Sequence, residues 1–259
     1  MLAEIYDLEH DEIDEDLPFY RELSRRHPGA VIDLGCGSGR LFEPLLGGGA
    51  TRIVGIDGSP SLVKRAEARV AAHEGLRVAM SEGRIELAVE DVRRVRRSDR
   101  FPLAILAGVI AHLEGPEDAL RALLAARRLL VPDGVLVIDT LGPGGLPPHD
   151  LPLSVDWERG DGGRRIVRRS RLERREVPEG LRVSYATLTD VVRPDGTIAR
   201  LPASFRLWYP SPAVLVALAA EAELAVASVF GSHDLEPIDE DSERCIVVAR
   251  PTATDPGMG

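Results

Sequence analysis

The residues best placed to do chemistry lie in VIDLGCGSGR (31–40), where a short apolar run ends in a turn with glycines at 35, 37 and 39. Glycine reaches positive φ without strain and lets the backbone approach a ligand that a Cβ would push away. Asp57 ends the next apolar run, RIVGID (52–57), in position to accept hydrogen bonds from both hydroxyls of a ribose. A carboxylate suits that neutral diol and repels a 2′-phosphate. Turn and acid together predict a nucleoside-bearing ligand, and nicotinamide-dependent dehydrogenases share this much.

Three details separate the alternatives. The spacing is G-x-G-x-G, and the third glycine of the dinucleotide fingerprint would fall at position 40, which is Arg40. Asp33, two residues before Gly35, puts a carboxylate where it can face an ammonium or sulfonium group and would repel a pyrophosphate. Glu90-Asp91-Val92 ends a third apolar run, where Asp91 can accept from an adenine amino group and the Val92 amide can meet a ring nitrogen. These features select S-adenosylmethionine and leave a dehydrogenase the least favoured reading.

Such a turn needs an open parallel sheet beneath it, because ligands bind at the carboxyl ends of such strands. The runs VIDLG (31–35), RIVGID (52–57), RIELAVED (84–91), PLAILAG (102–108) and GVLVIDT (134–140) suit strands covered on both faces. Helical stretches alternate with them at 59–75, opened by Ser59-Pro60, and at 115–134, stopped by Pro132-Asp133-Gly134. The expected fold is α/β: a Rossmann-like, doubly wound, mostly parallel seven-stranded sheet. A Pro- and Gly-rich loop at 141–152 interrupts it. Three strand-like stretches follow without a helix, 164–176, 181–193 and 197–209, with turn signals at Glu179-Gly180 and Asp195-Gly196. They predict an antiparallel three-stranded lid inserted after strand five. A helix (211–224) and two strands (225–231 and 244–250) then complete the core. The expected organisation is a core from 1–150 and 210–250, a lid from 151–209 and a disordered tail from 251–259.

The chain has 259 residues and a formal net charge of −10, which argues against nonspecific binding to nucleic acid or an anionic membrane. No apolar run is long enough to cross a bilayer, and the acidic start MLAEIYDLEHDEIDED is unlike a signal peptide. Cys36 and Cys245 lack metal-ligand spacing, so no metal is expected and a cytoplasmic setting is the default.

Together, VIDLGCGSGR, IVGIDGSPSLVKRA, VEDV, FPLAILAGVIAHL and LLVPDGVLVIDT resemble the successive motifs of class I S-adenosylmethionine-dependent methyltransferases. They cover roughly residues 30–140, in the family's order. The closing segment FGSHDLEPIDEDSERCIVVAR is similar to the last strands of bacterial small-molecule members. AEIYDLEH resembles a segment of aminosugar and glycine-type N-methyltransferases in which a tyrosine reaches the active site. The resemblance implies cofactor contacts at Gly35, Cys36, Gly37, Asp57, Asp91, Val92 and Ala107. Asp33 and Gly58, the latter directly after Asp57, complete the expected cofactor set.

On the acceptor side, His112 follows strand four and is a candidate general base or orienting group; the competing reading is a loop-packing histidine. Ubiquinone-pathway O-methyltransferases carry an acid directly before the matching histidine that can serve a metal. Here that residue is Ala111, which speaks against a metal-dependent mechanism. Tyr6 covers the methionine end of the cofactor, touches the acceptor, or only packs its own helix. At Cys36 the backbone matters and the thiol has no implied chemistry. The arginines of 164–175 are interrupted by Glu173 and lack the exposed aromatics of RNA readers, which favours a solvated strand. The expected function is methyl transfer from S-adenosylmethionine to nitrogen or oxygen of a small molecule, by a monomer or homodimer. A catalytically silent cofactor-binding protein and an RNA methyltransferase are the alternatives.

Overall fold

A computed structural model describes residues 2–252. Two helices, α1 (Leu2–His10) and α2 (Leu17–Arg26), precede the first strand. The main sheet contains β1 (Gly29–Leu34), β2 (Ala50–Asp57), β3 (Ile85–Val89), β4 (Phe101–Ala107), β5 (Leu130–Leu141), β10 (Leu224–Phe230) and β11 (Arg244–Pro251). Their order is β10-β11-β5-β4-β1-β2-β3, with β11 alone antiparallel to its neighbours. The expected doubly wound, seven-stranded sheet is therefore what the chain forms. Chain order reverses at β1, with β2 on one side and β4 on the other. That switch point lies directly below the glycine turn.

Both faces are covered because most strand positions carry apolar side chains. Val31, Ile53, Leu103 and Val137 pack on one side with α2, α3 (Phe42–Gly47), α4 (Pro60–Ala72) and α5 (Glu74–Ser81). Ile32, Val54, Leu106 and Ile138 pack on the other against α6 (Pro116–Leu129) and α7 (Pro212–Glu221). Ser59 caps α4, with its hydroxyl accepting from the Leu62 amide and Pro60 at the first helical position. The single helix expected at 59–75 is broken at His73, whose extended backbone starts α5. The helix expected to run to Gly134 ends at Leu129. Pro132-Asp133-Gly134 instead forms a bulge in β5, between the pairs Phe101–Leu130 and Leu103–Val135.

The second sheet has four strands, not the three expected. They are β6 (Leu151–Asp161), β7 (Arg164–Val177), β8 (Gly180–Val192) and β9 (Ile198–Pro210), in that order and antiparallel. β6 escapes a sequence reading although Leu151, Leu153, Val155 and Trp157 alternate with Pro152, Ser154, Asp156 and Glu158: it is a largely exposed edge strand with Pro152 near its start, running straight out of the Pro- and Gly-rich loop. Its pairing with β7 makes it a strand. At the end of the chain, Pro251 closes β11 and the Thr252 amide donates to the Glu223 carbonyl at 2.9 Å. The expected tail is thus ordered at these two residues, and 253–259 lie outside the described residues.

Candidate active site

The glycine turn is pinned to the neighbouring strand. The amides of Gly35 and Cys36 both donate to the Ile56 carbonyl, at 2.7 and 2.9 Å. Asp57 then fixes the turn from below: its Oδ2 accepts from the Gly37 amide at 2.9 Å and its Oδ1 from the Ser59 amide at 2.8 Å. Each oxygen keeps a lone pair for a further donor, so the carboxylate is oriented but not saturated. A Cβ at Gly37, where φ is +56°, would stand 2.9 Å from the Tyr6 hydroxyl.

Register aligns the key positions. Leu34 pairs with Ile56, Asp33 with Ile105, and Ala107 with Asp139. Asp57, Gly35, Ala107 and Asp139 therefore form one row across the carboxyl ends of four strands. Ala107 is partly exposed, and the adjoining Gly108 has open space where a Cβ would stand.

Asp33 is 1% exposed, and its Oδ2 has no hydrogen-bond partner. Burial and the Asp57 charge push its pKa up to about 7, against the pull of Arg40. An orphaned buried carboxylate beside a glycine cradle fits a ligand carrying a positive group. Arg40 forks onto Asp16 at 2.7 and 2.6 Å and donates to the Ile13 carbonyl at 2.8 Å, anchoring the segment between α1 and α2. The Cys36 thiol is buried and pushed up by that burial and by Asp33 and Asp57, so it stays protonated.

Tyr6 lies against the turn and stacks on His10, with centroids 3.9 Å apart and planes at 16°. Burial and the Asp57 charge push its hydroxyl up to about 12. The sequence reading passed over His10, although its spacing four residues from Tyr6 was a signal. Its Nδ1 lies 2.8 Å from the Tyr6 carbonyl and must donate to it. His112 sits on the 3-10 turn Ile110–His112 after β4. Crowding by the surrounding protein lowers its pKa although its outer edge is open to solvent; the Asp57 charge raises it and His10 lowers it. Tyr6, His10, His112, Asp33 and Asp57 thus feel one another across the turn.

Arg93 grips both oxygens of Asp91 and reaches Asp118, and these hydrogen bonds hold Asp91 below the usual carboxylate range. Val92 is buried in the core, and Gly58 is exposed with open space around it. Among the described residues no group of three His, Cys, Asp or Glu side chains is placed to hold a metal.

The second sheet turns a hydroxylated face toward α1. Arg168, Ser170, Thr187 and Thr189 are buried there. Arg168 pairs with Glu9 of α1 and donates to the Tyr185 hydroxyl at 3.0 Å, while Ser170 donates to Asp156 at 2.7 Å. Ile5 of α1 packs on Ile166 and Val191 beside this strip. On its other flank α1 is tied to α4 by Asp7 with Arg65 and Asp11 with Arg69. Most of the arginine run is neutralised locally: Arg165 by Glu158, Arg169 by Asp190 and Arg171 by Glu173. Trp208 belongs to the core, and Tyr209 is partly buried near Arg244.

Residues 32–136 match the family model described as "Methyltransferase domain". These residues carry a methyltransferase domain, in the fold of the class I S-adenosylmethionine-dependent enzymes. Among solved structures, DesVI from Streptomyces venezuelae aligns with a TM-score of 0.74 at 18% identity, covering 97% of this chain and 99% of that one. The sugar N-methyltransferase KedS8 from Streptoalloteichus aligns with 0.73 at 20%, covering 96% and 93%. These similarities span the second sheet as well as the core and concern the fold. The tRNA U34 carboxymethyltransferase of Shewanella frigidimarina is 37% identical over 111 residues, 43% of this chain. The chain matches about a third of that relative's length, 31%. No helix among the described residues is long and apolar enough to cross a membrane.

Proposed function

We propose that this protein binds S-adenosylmethionine across the row from Asp57 to Ala107 and transfers its methyl group to nitrogen or oxygen of a small molecule. The orphaned Asp33 carboxylate beside the Gly35–Gly37 cradle carries this reading. Asp57 would take the ribose hydroxyls, Asp33 the cofactor's ammonium group, and the Gly35–Gly37 backbone the methionine chain. Bound there, the cofactor supplies a methyl group already activated on a cationic sulfur. What remains for the protein is alignment and exclusion of water, and orientation of this kind is worth roughly 7–11 kcal/mol of barrier. Tyr6 and His10 cover the turn from α1, and His112 orients the acceptor from the end of β4. Val92 and Gly58 would flank the adenine, and Asp91 would serve it only by giving up part of its hold on Arg93.

The second sheet supports a small, polar acceptor. Its buried face offers hydroxyls and a paired arginine, and α1 roofs it. A polynucleotide needs an open basic groove, and this chain is net acidic. The tRNA-modifying relatives favour a second reading, RNA modification, which salt-sensitive tRNA binding would support. The deciding experiment is calorimetry with S-adenosylmethionine, followed by a metabolite screen for mass gain of one methyl group. Micromolar cofactor binding and a methylated small molecule are expected; no binding by clean wild-type protein sinks the proposal.

A further inference from the structure

The row that starts at Asp57 continues past Ala107 to Asp139 on β5. Asp139 is 1% exposed and turned to the same face as Val135 and Val137 of its strand. Three elements converge on its carboxylate. Tyr20 of α2 donates to Oδ2 at 2.6 Å, Nε2 of His233 meets the same oxygen at 2.9 Å, and Arg244 of β11 donates to Oδ1 at 2.9 Å. Burial pushes Asp139 up, but the His233 hydrogen bond, the Arg244 charge and the Tyr20 hydroxyl outweigh it and hold it below its ordinary value. The carboxylate is therefore ionised and can only accept. Nε2 of His233 must then carry the hydrogen, and in the neutral ring Nδ1 is left with the lone pair. Nδ1 has no partner among the described residues.

The turn that presents His233 is fixed. The Leu235 amide donates to the Ser232 carbonyl at 3.2 Å, and the Gly231 amide to the Glu236 carbonyl at 2.8 Å. Leu235 holds a φ of 67°, a conformation that persists only where the surroundings enforce it. Phe19 flanks the ring at 5.4 Å, and the imidazole side chain keeps 18% of its surface exposed.

We propose that His233 is the proton acceptor of the methyl-transfer site, held by Asp139 and presenting Nδ1 to the nucleophilic nitrogen or oxygen of the acceptor. The inference rests on the methyltransferase reading above and names a residue which that reading leaves open. Neighbouring strands lie about 4.8 Å apart, so Asp139 stands one strand beyond Ala107, at the end of the row left for the acceptor. The acceptor's lone pair forms the bond to the methyl carbon, and the electrons of the broken carbon–sulfur bond stay on sulfur, which leaves as a neutral thioether. The acceptor's proton passes to Nδ1 and then to water at the ring's exposed edge. Asp139 balances the imidazolium, and Arg244 keeps the carboxylate from taking the proton itself. The titratable and charged groups facing the ring are Asp139 from β5, Tyr20 from α2 and, through Asp139, Arg244 from β11.

The test uses the full chain labelled with 15N-histidine, free and bound to S-adenosylhomocysteine or to sinefungin, whose ammonium group replaces the methyl sulfonium. His233 is expected as the Nε2–H tautomer throughout. Its titration midpoint should fall by about one pH unit more with sinefungin, from a like charge within roughly 6 Å. An Nδ1–H tautomer, or equal midpoints in the two complexes, overturns the role. His233→Gln keeps an amide donor for Asp139 but no base. Its sinefungin affinity is expected within about threefold of wild type, while methyl transfer to a pooled library of primary amines and phenols drops about 100-fold. Unchanged transfer, or equal loss of binding and transfer, also overturns it. A wild type that binds neither nucleoside sinks the methyltransferase reading and this role together, whereas binding with equal midpoints sinks this role alone.

Discussion

Two carboxylates end the same row and are held in opposite ways. Asp57 is fixed by the backbone amides of Gly37 and Ser59. Asp139 is fixed by the side chains of Tyr20, His233 and Arg244, each about a hundred residues away along the chain. The first arrangement is made by local chain geometry and survives most side-chain changes around it. The second exists only when three distant elements have docked, so stability and chemistry are coupled there.

That contrast can be broken most forcefully at Asp139. Asp139→Ala leaves Arg244 without its buried partner and is expected to cost about 3–5 kcal/mol of unfolding free energy, read from urea denaturation. Asp57→Ala should leave the urea midpoint nearly unmoved yet weaken S-adenosylmethionine binding about 100-fold by calorimetry, the loss of two charge-assisted hydrogen bonds. Equal effects of the two on stability would erase the distinction. Gly37→Ala strains a positive-φ position and pushes on the Tyr6 hydroxyl, so binding should fall about tenfold.

pH sharpens the comparison further. The Asp33 pKa is raised to about 7, so in the free protein its ionisation opposes folding. That penalty is absent below the ordinary carboxylate range and grows until pH passes the raised value. A cationic ligand prefers the ionised form, so affinity should rise about tenfold from pH 6 to 8, with proton release detectable by calorimetry in buffers of different ionisation heat. The smallest effect is expected on the second sheet: Arg171→Ala breaks an exposed pair with Glu173 and should change stability by less than about 0.5 kcal/mol in urea denaturation.

What the sequence made legible follows the same division. The glycine turn, Asp33 and Asp57 are contiguous or one β-α unit apart, so residue spacing alone assembles them. The doubly wound, mostly parallel sheet followed from the alternation of apolar runs and helices. Three features were hidden for physical reasons. β6 carries apolar residues at 151, 153, 155 and 157, but Pro152 and the adjoining Pro- and Gly-rich loop mask that alternation, and its pairing with β7 establishes the strand. The Asp139 cluster depends on tertiary docking of α2 and of the loop before β11. Asp91 sits at the end of an apolar run as expected, but its engagement by Arg93 two residues later could not be told from spacing.

Helix α1 touches the glycine turn through Tyr6 on one flank and the second sheet through Ile5 and Glu9 on another. The sheet contacts fall on Ile166 and Arg168 of β7 and Val191 of β8, the two central strands, so the turn and the middle of the second sheet lean on the same helix. The glycine turn and the second sheet thus share one mechanical element. That element is tethered on its α4 side by the ion pairs of Asp7 and Asp11, and Arg69, which holds Asp11, also donates to the Ser38 carbonyl of the glycine turn, so salt weakens the tether and the turn's support together.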